Sequence, residues 1–347
     1  MKHSFFTGAR RLSALALCLC LILIPAVTVA AESESPGYIR WVDFSVTQKA
    51  LSDTARLDIE AHESGAAVSW IDLLSLLAAK NGGNFGSYKT KDAEALAQKL
   101  REGKSPEELC KNQKLFAYYR QAYSAILGGM LGPGTRVETD ENGHETRTAF
   151  YGLRAFSPLA QGYSYTHYDD FGASRSYGYR RSHLGHDLMG SVGTPVIAVE
   201  SGYIEACGWN QYGGWRIGIR SFDGKRYYYY AHLRKDYPYQ SNLKEGSLVT
   251  AGDVIGYLGH TGYSSTENTN NIAEPHLHFG LQLIFDESQK EGNNEIWIDC
   301  YELIRFLAIN RSETVKKDGT KEWTRVYEMK DSSLEQFSTN DKNSRKR

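Results

Sequence analysis

The segment Pro275-His-Leu-His-Phe-Gly-Leu-Gln-Leu283 decides the fold that we predict for the second half of the chain. Side chains two apart on a β-strand project to the same face, so His276 and His278 share one face of this segment. Leu277 and Phe279 then point to the opposite face, which we expect to be buried. Two adjacent imidazoles indicate a shared metal site, although a His-x-His pair also occurs by chance on exposed strands.

The sequence around this segment is a series of short apolar stretches separated by glycine turns. No pattern of helix length interrupts them, which favours antiparallel pairing over alternating strands and helices. Ser221-Phe-Asp-Gly224 is typical of a hairpin connection, in which glycine supplies a positive φ. The predicted strands are Pro195–Val199, Gly202–Cys207, Trp215–Arg220, Arg226–His232, Leu248–Val249, Asp253–Tyr257 and His276–Leu283.

Residues 38–132 have a helical pattern instead. Trp70–Lys80 carries apolar residues at steps of three and four, and Asn81-Gly82-Gly83 predicts its end. The same pattern continues through Lys91–Leu100 and Pro106–Met130. The region contains no catalytic constellation, and its single histidine, His62, is interpreted as a solvated helix residue. A module of this kind holds, positions or contacts something for its neighbour.

The predicted fold class is therefore a multidomain α and β protein. A helical domain at residues 38–132 precedes a linker with lead-in strands at 133–170. A mainly antiparallel β domain with an open groove follows at 171–310. The polar tail at 331–347 is rich in serine and asparagine, which predicts disorder.

Charge and cysteine content exclude several classes of protein. The 347 residues include 40 basic and 41 acidic side chains, a net charge of −1, which argues against a nucleic-acid partner. Beyond the N-terminal segment, three cysteines remain: Cys110, Cys207 and Cys300. No two of them have metal-site spacing, so we interpret them as free thiols and leave a Cys207–Cys300 bridge as the alternative.

The N-terminus has the layout of an export signal. Basic residues precede the apolar run Leu12–Ile24, and small residues follow Pro25. This pattern predicts a secretory signal peptide over residues 1–31. The alternative keeps residues 12–31 as an uncleaved membrane anchor, since that segment is just long enough to span a bilayer. Either interpretation places the rest of the chain outside the cytoplasm.

Further candidate metal ligands lie in His183-Leu-Gly-His-Asp187. His183 offers a nitrogen and Asp187 a carboxylate oxygen, and Gly185 permits the tight loop that would bring both to one point. Two histidines with one carboxylate are the protein ligands of an open catalytic zinc, whose fourth position is left for water. Structural zinc usually has four protein ligands, often thiolates, and no cysteine lies near these histidines in the sequence.

Several separated motifs, in this order, resemble the lysostaphin-type (LytM-like) zinc endopeptidases, which cut the peptide part of bacterial peptidoglycan. The match runs from about Phe171 to Phe279 and does not cover residues 38–131. Its motifs are Phe171-Gly172, His183-x-Gly-x-Asp187, Gly193-Thr-Pro-Val196, Tyr230-Ala-His-Leu233, Gly252-Asp-Val-Ile-Gly-Tyr-Leu-Gly259, Thr261-Gly262 and Pro275-His-Leu-His-Phe279.

The resemblance implies one Zn²⁺ per chain and a division of roles among the histidines. His183, Asp187 and His278 correspond to the zinc ligands. His232 and His276 correspond to a catalytic pair that does not bind the metal. Residues 171–310 would then be the zinc peptidase domain.

Three further histidines receive weaker interpretations. His186, inside the first motif, is interpreted as a solvent-exposed residue or one that lies behind the ligands. His167 and His260 are weak candidates for the groove wall.

Two other features bear on the groove. Strand alternation places Tyr228 and Tyr230 on the face of His232, where they could line a cleft, while packing of tyrosines on both faces is the equal alternative. The polar segment Tyr263–Glu274 is longer than the resembled family usually has, which predicts an enlarged loop beside the site.

The resemblance implies an exported zinc metalloendopeptidase that acts on peptidoglycan stem peptides or cross-bridges. Its partners would be wall peptides, together with proteins of the cell envelope. One alternative is a non-catalytic envelope scaffold, or an activator of another wall hydrolase, built on the same fold. A second alternative is a zinc enzyme that acts on proteins.

Overall fold

The computed structural model describes residues 39–176, 180–290, 292, 294–334 and 337. The predicted signal or anchor at residues 1–31 lies outside this part of the chain, as does most of the predicted tail at 331–347. Within the described residues, no helix has both the length and the apolar character needed to cross a membrane.

Most of the helices lie before the first strand, as the sequence predicts. Gly82 has a φ of 64° and ends the second helix, its N–H bonded to the carbonyl of Ala78. Ser105 and Glu108 form a reciprocal cap at the start of the fourth. The short sixth helix was not predicted. The helices are α1 (Gln48–Glu63), α2 (Trp70–Asn81), α3 (Thr90–Arg101), α4 (Pro106–Leu109), α5 (Gln113–Leu127) and α6 (Tyr301–Leu307), with a 3₁₀ turn at Glu287–Gln289.

The strands pair antiparallel wherever the structure describes a pairing, which confirms the predicted fold class. The strands are β1 (Leu131–Thr139), β2 (Glu145–Leu153), β3 (Thr166–His167), β4 (Ser174–Ser176), β5 (Arg180–Ser182), β6 (His186–Met189), β7 (Pro195–Ile197), β8 (Gly202–Asn210), β9 (Gly214–Ser221), β10 (Arg226–Ala231), β11 (Leu248–Val249), β12 (Val254–Tyr257), β13 (His276–Leu283), β14 (Ile296–Ile298), β15 (Thr314–Lys316), β16 (Trp323–Arg325) and β17 (Glu328–Lys330).

The central sheet has the order β11-β8-β9-β10-β13-β6-β3, and β14 also pairs with β13. The strand that carries the His-x-His pair therefore lies between β10 and β6. His278 is opposite Ala231 on one neighbour and opposite Asp187 on the other. Residues directly opposite each other share a face of the sheet, so this register brings the sequence motifs together.

One face of the sheet packs against the helices. Leu277, Phe279, Tyr228 and Tyr230 are fully buried in a hydrophobic core that continues into the helical region. Leu277 and Phe279 thus lie on the buried face predicted for them. The predicted helical and β regions share this core and belong to one compact unit.

A buried arginine forms an ion pair within the β region and a hydrogen bond to the helical region. Arg226, at the start of β10, is 1% exposed, and its Nε donates to Glu200 Oε2 at 2.7 Å. Its Nη1 donates to the carbonyl of Ala125, near the end of α5, at 2.6 Å. The hydroxyl of Tyr228 also donates to Glu200. A side chain at Gly129 would collide with Glu200, since a Cβ there would lie 1.6 Å from Oε1.

The three cysteines are free, so the Cys207–Cys300 bridge does not form. Cys300 is buried and the other two are half-buried. At the other end of the chain, Asp331 is buried and pairs with Arg154 at 3.0 Å, so the first residue of the predicted tail contacts the fold.

We expect Arg226→Met to lower the free energy of unfolding by about 3–5 kcal/mol, because it leaves the Glu200 carboxylate buried without its cation. Urea denaturation followed by circular dichroism measures this loss. Arg147→Met is the control, since Arg147 forms an exposed ion pair with Glu145. Equal, small effects of the two substitutions would contradict the role given to Arg226.

Candidate metal centre

Three donor atoms from separate segments meet at the edge of the groove. His183 Nε2 lies 3.0 Å from Asp187 Oδ1 and 3.1 Å from His278 Nδ1, and the last two atoms are 2.9 Å apart. Tetrahedral zinc with nitrogen and oxygen ligands at its usual bond lengths separates them by about 3.4 Å. The chemistry of the donors and their spacing therefore fit a zinc ion.

Gly185 is needed because the loop that contains it passes close to the ring of His278, and not because of the tight turn that the sequence suggested. A Cβ at Gly185 would lie 2.5 Å from both Cε1 and Nε2 of His278 and 2.9 Å from the carbonyl oxygen of Phe279. The loop between His183 and Asp187 thus runs against the ring of the third donor. Only a residue without a side chain allows this approach.

Asp170 lies behind His183 and was not predicted. Its Oδ1 is 3.2 Å from His183 Nδ1, the ring nitrogen that does not face the other donors, but forms no hydrogen bond with it. The same nitrogen lies 3.4 Å from the backbone carbonyl oxygen of Asp170, within hydrogen-bond distance. A backbone carbonyl in this position fixes the orientation of a ligand imidazole. Asp170 is thirteen residues upstream of His183, and no sequence pattern links the two.

Two of the three donors have the protonation states that a metal requires. Burial would lower the pKa of the third, His183, but its hydrogen bond with Asp187 and the charge of that carboxylate raise it. Burial would raise the pKa of Asp187, but hydrogen bonds with His183 and His278 hold it well below its ordinary value. Burial lowers the pKa of His278 more than Asp187 raises it. The carboxylate is therefore ionised, and the His278 ring is kept neutral, as ligation requires.

Two more histidines border the donor set. Nδ1 of His276 lies 2.8 Å from the carbonyl oxygen of Glu274, and Nδ1 of His232 lies 2.9 Å from that of Thr261. A carbonyl only accepts, so each Nδ1 carries the proton and each Nε2 is an acceptor. Nε2 of His276 is 3.8 Å from Asp187 Oδ1. The two ring centroids are 4.8 Å apart.

The prediction that Tyr228 and Tyr230 line the cleft on the face of His232 is wrong. Both are buried in the core, and Tyr229 and Ala231 border the groove instead. His232 follows β10 with a φ of 62°, in the left-handed region. This backbone turn breaks the alternation and brings the imidazole to the face opposite to the one that strand geometry assigns.

His186 faces away from the donor set. It alternates with Asp187 along β6, is 1% exposed, and its Nε2 lies 2.6 Å from Nδ1 of His167. Both rings pack against Tyr301. The interpretation of His186 as a solvent-exposed residue is therefore wrong, and His167 lies in this cluster rather than in the groove wall.

The remaining histidines lie apart from the donors. His260 does not border the groove among the described residues, and its Nδ1 bonds to the carbonyl of Ile272 at 2.8 Å. His62 is exposed, as predicted, and stacks on Tyr151 with ring centroids 3.7 Å apart.

The segment 263–274 forms a wall of the groove through its first residue, Tyr263. Asn268 holds the segment in place, because its Oδ1 accepts from Trp215 Nε1 and from the amide of Asp236, both at 2.9 Å. Asn271 donates to the carbonyl of Tyr263 at 2.6 Å. The described side of the groove comprises Arg175, Ser176, Arg181, His183, Asp187, Tyr212, Gly213, Tyr229, Ala231, His232, Tyr263, His276 and His278.

Comparison with known proteins relates this chain to one peptidase family. Residues 181–292 match the model of Peptidase family M23. An L-Ala–D-Glu endopeptidase of Bacillus subtilis is 36% identical over 160 residues, which cover 46% of this chain and 44% of the relative. Lysostaphin of Staphylococcus simulans is 43% identical over 98 residues, or 28% of this chain and 17% of the relative. The chain thus spans less than half the length of these curated relatives.

A crystal structure from Ruminococcus gnavus, provisionally named a glycyl-glycine endopeptidase LytM, has a similar fold. The TM-score is 0.53 at 24% sequence identity, and the match covers 81% of this chain and 95% of the other. The likeness therefore includes part of the helical region as well as the β region. The fold is thus shared with that structure. The match of residues 181–292 to Peptidase family M23 confirms the resemblance seen in the sequence.

Proposed function

We propose that this chain is an exported zinc metalloendopeptidase that hydrolyses peptide bonds in bacterial peptidoglycan, in the stem peptide or the cross-bridge. The observation that carries the proposal is the convergence of His183, Asp187 and His278 beside two histidines with acceptor Nε2 atoms. The names of the relatives support the substrate class, since one is an L-Ala–D-Glu endopeptidase. We take residues 171–310 as the catalytic domain and 38–132 as a helical domain that packs on it.

In this proposal, His183, Asp187 and His278 hold one Zn²⁺ per chain. When bound, zinc polarises a scissile carbonyl and lowers the pKa of water to about 7. The chain sets the protonation and the orientation of the donors. Asp187 is ionised between two imidazoles, and the His183 ring is oriented by the backbone carbonyl of Asp170.

His276 and His232 share the proton transfers of hydrolysis. An imidazole nitrogen without a proton can accept one and return it, which is the requirement for a general acid–base group. Burial, and then the nearby His276 and His278, hold the pKa of His232 well below its ordinary value, so this ring begins the reaction neutral. The bare Nε2 atoms accept the water proton, deliver it to the leaving amine, and in their protonated form stabilise the developing oxyanion.

The alternative of a non-catalytic scaffold has no specific observation in its favour. Such a protein typically lacks a ligand or a catalytic histidine, whereas all five groups are present here and adjacent. Export is proposed on the pattern of residues 1–31, with cleavage of the signal rather than retention of residues 12–31 as an anchor. Sequencing the N-terminus of the mature protein tests this part of the proposal.

We expect the purified protein to carry one zinc per chain and to release new amines from purified sacculi. A chelator should abolish this release, and added zinc should restore it. Asp187→Ala should lose the metal, because the two imidazoles alone leave an incomplete ligand set. Plasma mass spectrometry of the bound metal measures the loss.

The control for the metal measurement is Asp169→Ala, which removes an exposed carboxylate nearby and should keep its zinc. Release of amines that persists in the metal-free protein would contradict the zinc mechanism. Mass spectrometry of the released muropeptides identifies the bond, and denatured proteins offered in parallel test the alternative substrate class.

We expect His276→Ala to retain zinc and to lose hydrolysis by about 10²–10⁴-fold, since it removes a general acid–base but no ligand. The rate of amine release and the zinc content of the same preparation measure both effects. His144→Ala is the matched control, because its ring is exposed on the β1–β2 hairpin and should leave turnover unchanged. Normal turnover in His276→Ala would refute the role given to this residue.

A further inference from the structure

Two arginines border the groove beside the donor set, on a short ribbon made of β4 and β5. Arg175 and Arg181 are directly paired across this ribbon. Residues paired in this way have their side chains on the same face. Both side chains border the groove together with His183 and Asp187.

Like charges directly opposite each other destabilise a ribbon, so each arginine requires a compensating partner. Arg175 has one in this structure: its Nη2 contacts Asp170 and lies 3.9 Å from Asp187 Oδ2. Both of these carboxylates are also engaged by histidines of the metal centre.

Arg181 is arranged differently. It forms no ion pair with a carboxylate among the described residues, and its Nη2 donates to the hydroxyl of Tyr263. The guanidinium carbon lies 5.2 Å from the Tyr263 ring centroid. Nε of Arg181 is buried without a hydrogen-bond partner. A cation with unused donor capacity therefore lies at the groove, held in place by an aromatic ring.

We propose that Arg181, assisted by Arg175, binds a free carboxylate of the substrate peptide. The preferred substrates are then stem peptides with an acidic group close to the scissile bond, rather than uncharged glycine bridges. This inference rests on the proposed function, because it concerns the same groove.

Guanidinium and carboxylate match each other in a two-pronged geometry, which strengthens the pair and orients the peptide. The stem peptide offers such a carboxylate, because D-glutamate linked through its side chain keeps its α-carboxylate. The interior of a glycine bridge has no carboxylate that pairs with Arg181. Its binding would cover the guanidinium and remove water from it without a replacement.

The test compares two peptides that differ by one charge. L-Ala-γ-D-Glu-L-Lys-D-Ala carries the carboxylate, and in its counterpart the D-Glu α-carboxylate is an amide. Pentaglycine with an acetylated N-terminus and an amidated C-terminus is the uncharged reference. We expect the zinc-loaded full chain to show a kcat/KM about 10- to 100-fold higher for the first peptide than for the second. Arg181→Gln should remove this preference by slowing the first reaction alone, and Arg181→Lys should keep part of it.

Arg180→Gln is the matched control, since Arg180 is an exposed neighbour on β5 and donates to Ser174. It should leave both reactions unchanged. The preference of the wild-type protein should also fall with rising salt. Equal hydrolysis of the two peptides by the wild-type protein would overturn the inference. So would an equal loss of both reactions in a zinc-replete Arg181→Gln protein.

Calorimetry on the His276→Ala protein separates this inference from the proposed function. If the wild-type protein hydrolyses no wall peptide, the proposed function fails. The inference then depends on binding alone: the carboxylate peptide should bind more tightly than its amide, and Arg181→Gln should remove the difference. Equal affinities for the two peptides would overturn it.

Discussion

The candidate site depends on one half-buried carboxylate, that of Asp187, held between two imidazoles. Oδ1 of Asp187 lies within hydrogen-bond distance of His183 Nε2 and of His278 Nδ1. A carboxylate in such surroundings stays ionised only where positive or donating groups compensate for lost water. The register of β6 against β13 places Asp187 opposite His278, and Gly185 lets the intervening loop pass close to the ring.

The central sheet has one face towards the hydrophobic core and the other towards the groove, and this difference places the donor residues together. Strand β10 begins with Arg226, which pairs with Glu200 and bonds to α5 on the core side. The same strand ends at the turn that carries His232 to the groove. The core side of the sheet thus shares a hydrophobic core with the helices, and the histidines of the candidate site line the groove.

Under the proposed function, the groove combines residues that take part in peptide hydrolysis with residues that would select the substrate peptide. The three donors of the candidate metal centre and its two neighbouring histidines, five residues in all, match the family motifs in the sequence. Tyr263, which supports Arg181, begins the enlarged segment where the chain departs from the resembled pattern. Under the proposed function, this chain therefore differs from the resembled family in the part of the groove that would contact a peptide side group.

Local sequence patterns predicted the shared strand face of His276 and His278 and the end of α2 at Gly82. These two features follow from alternation and from glycine's access to positive φ, which need no knowledge of distant contacts. The choice of His183, Asp187 and His278 as candidate ligands came from the family resemblance of the motifs. Tertiary structure decided the rest. The left-handed turn at His232 reversed the expected face of the neighbouring tyrosines, and chain folding brought Asp170 behind His183. Pairing across a short ribbon placed Arg175 and Arg181 together, because strand pairing joins residues through space and leaves no periodic signal in the sequence.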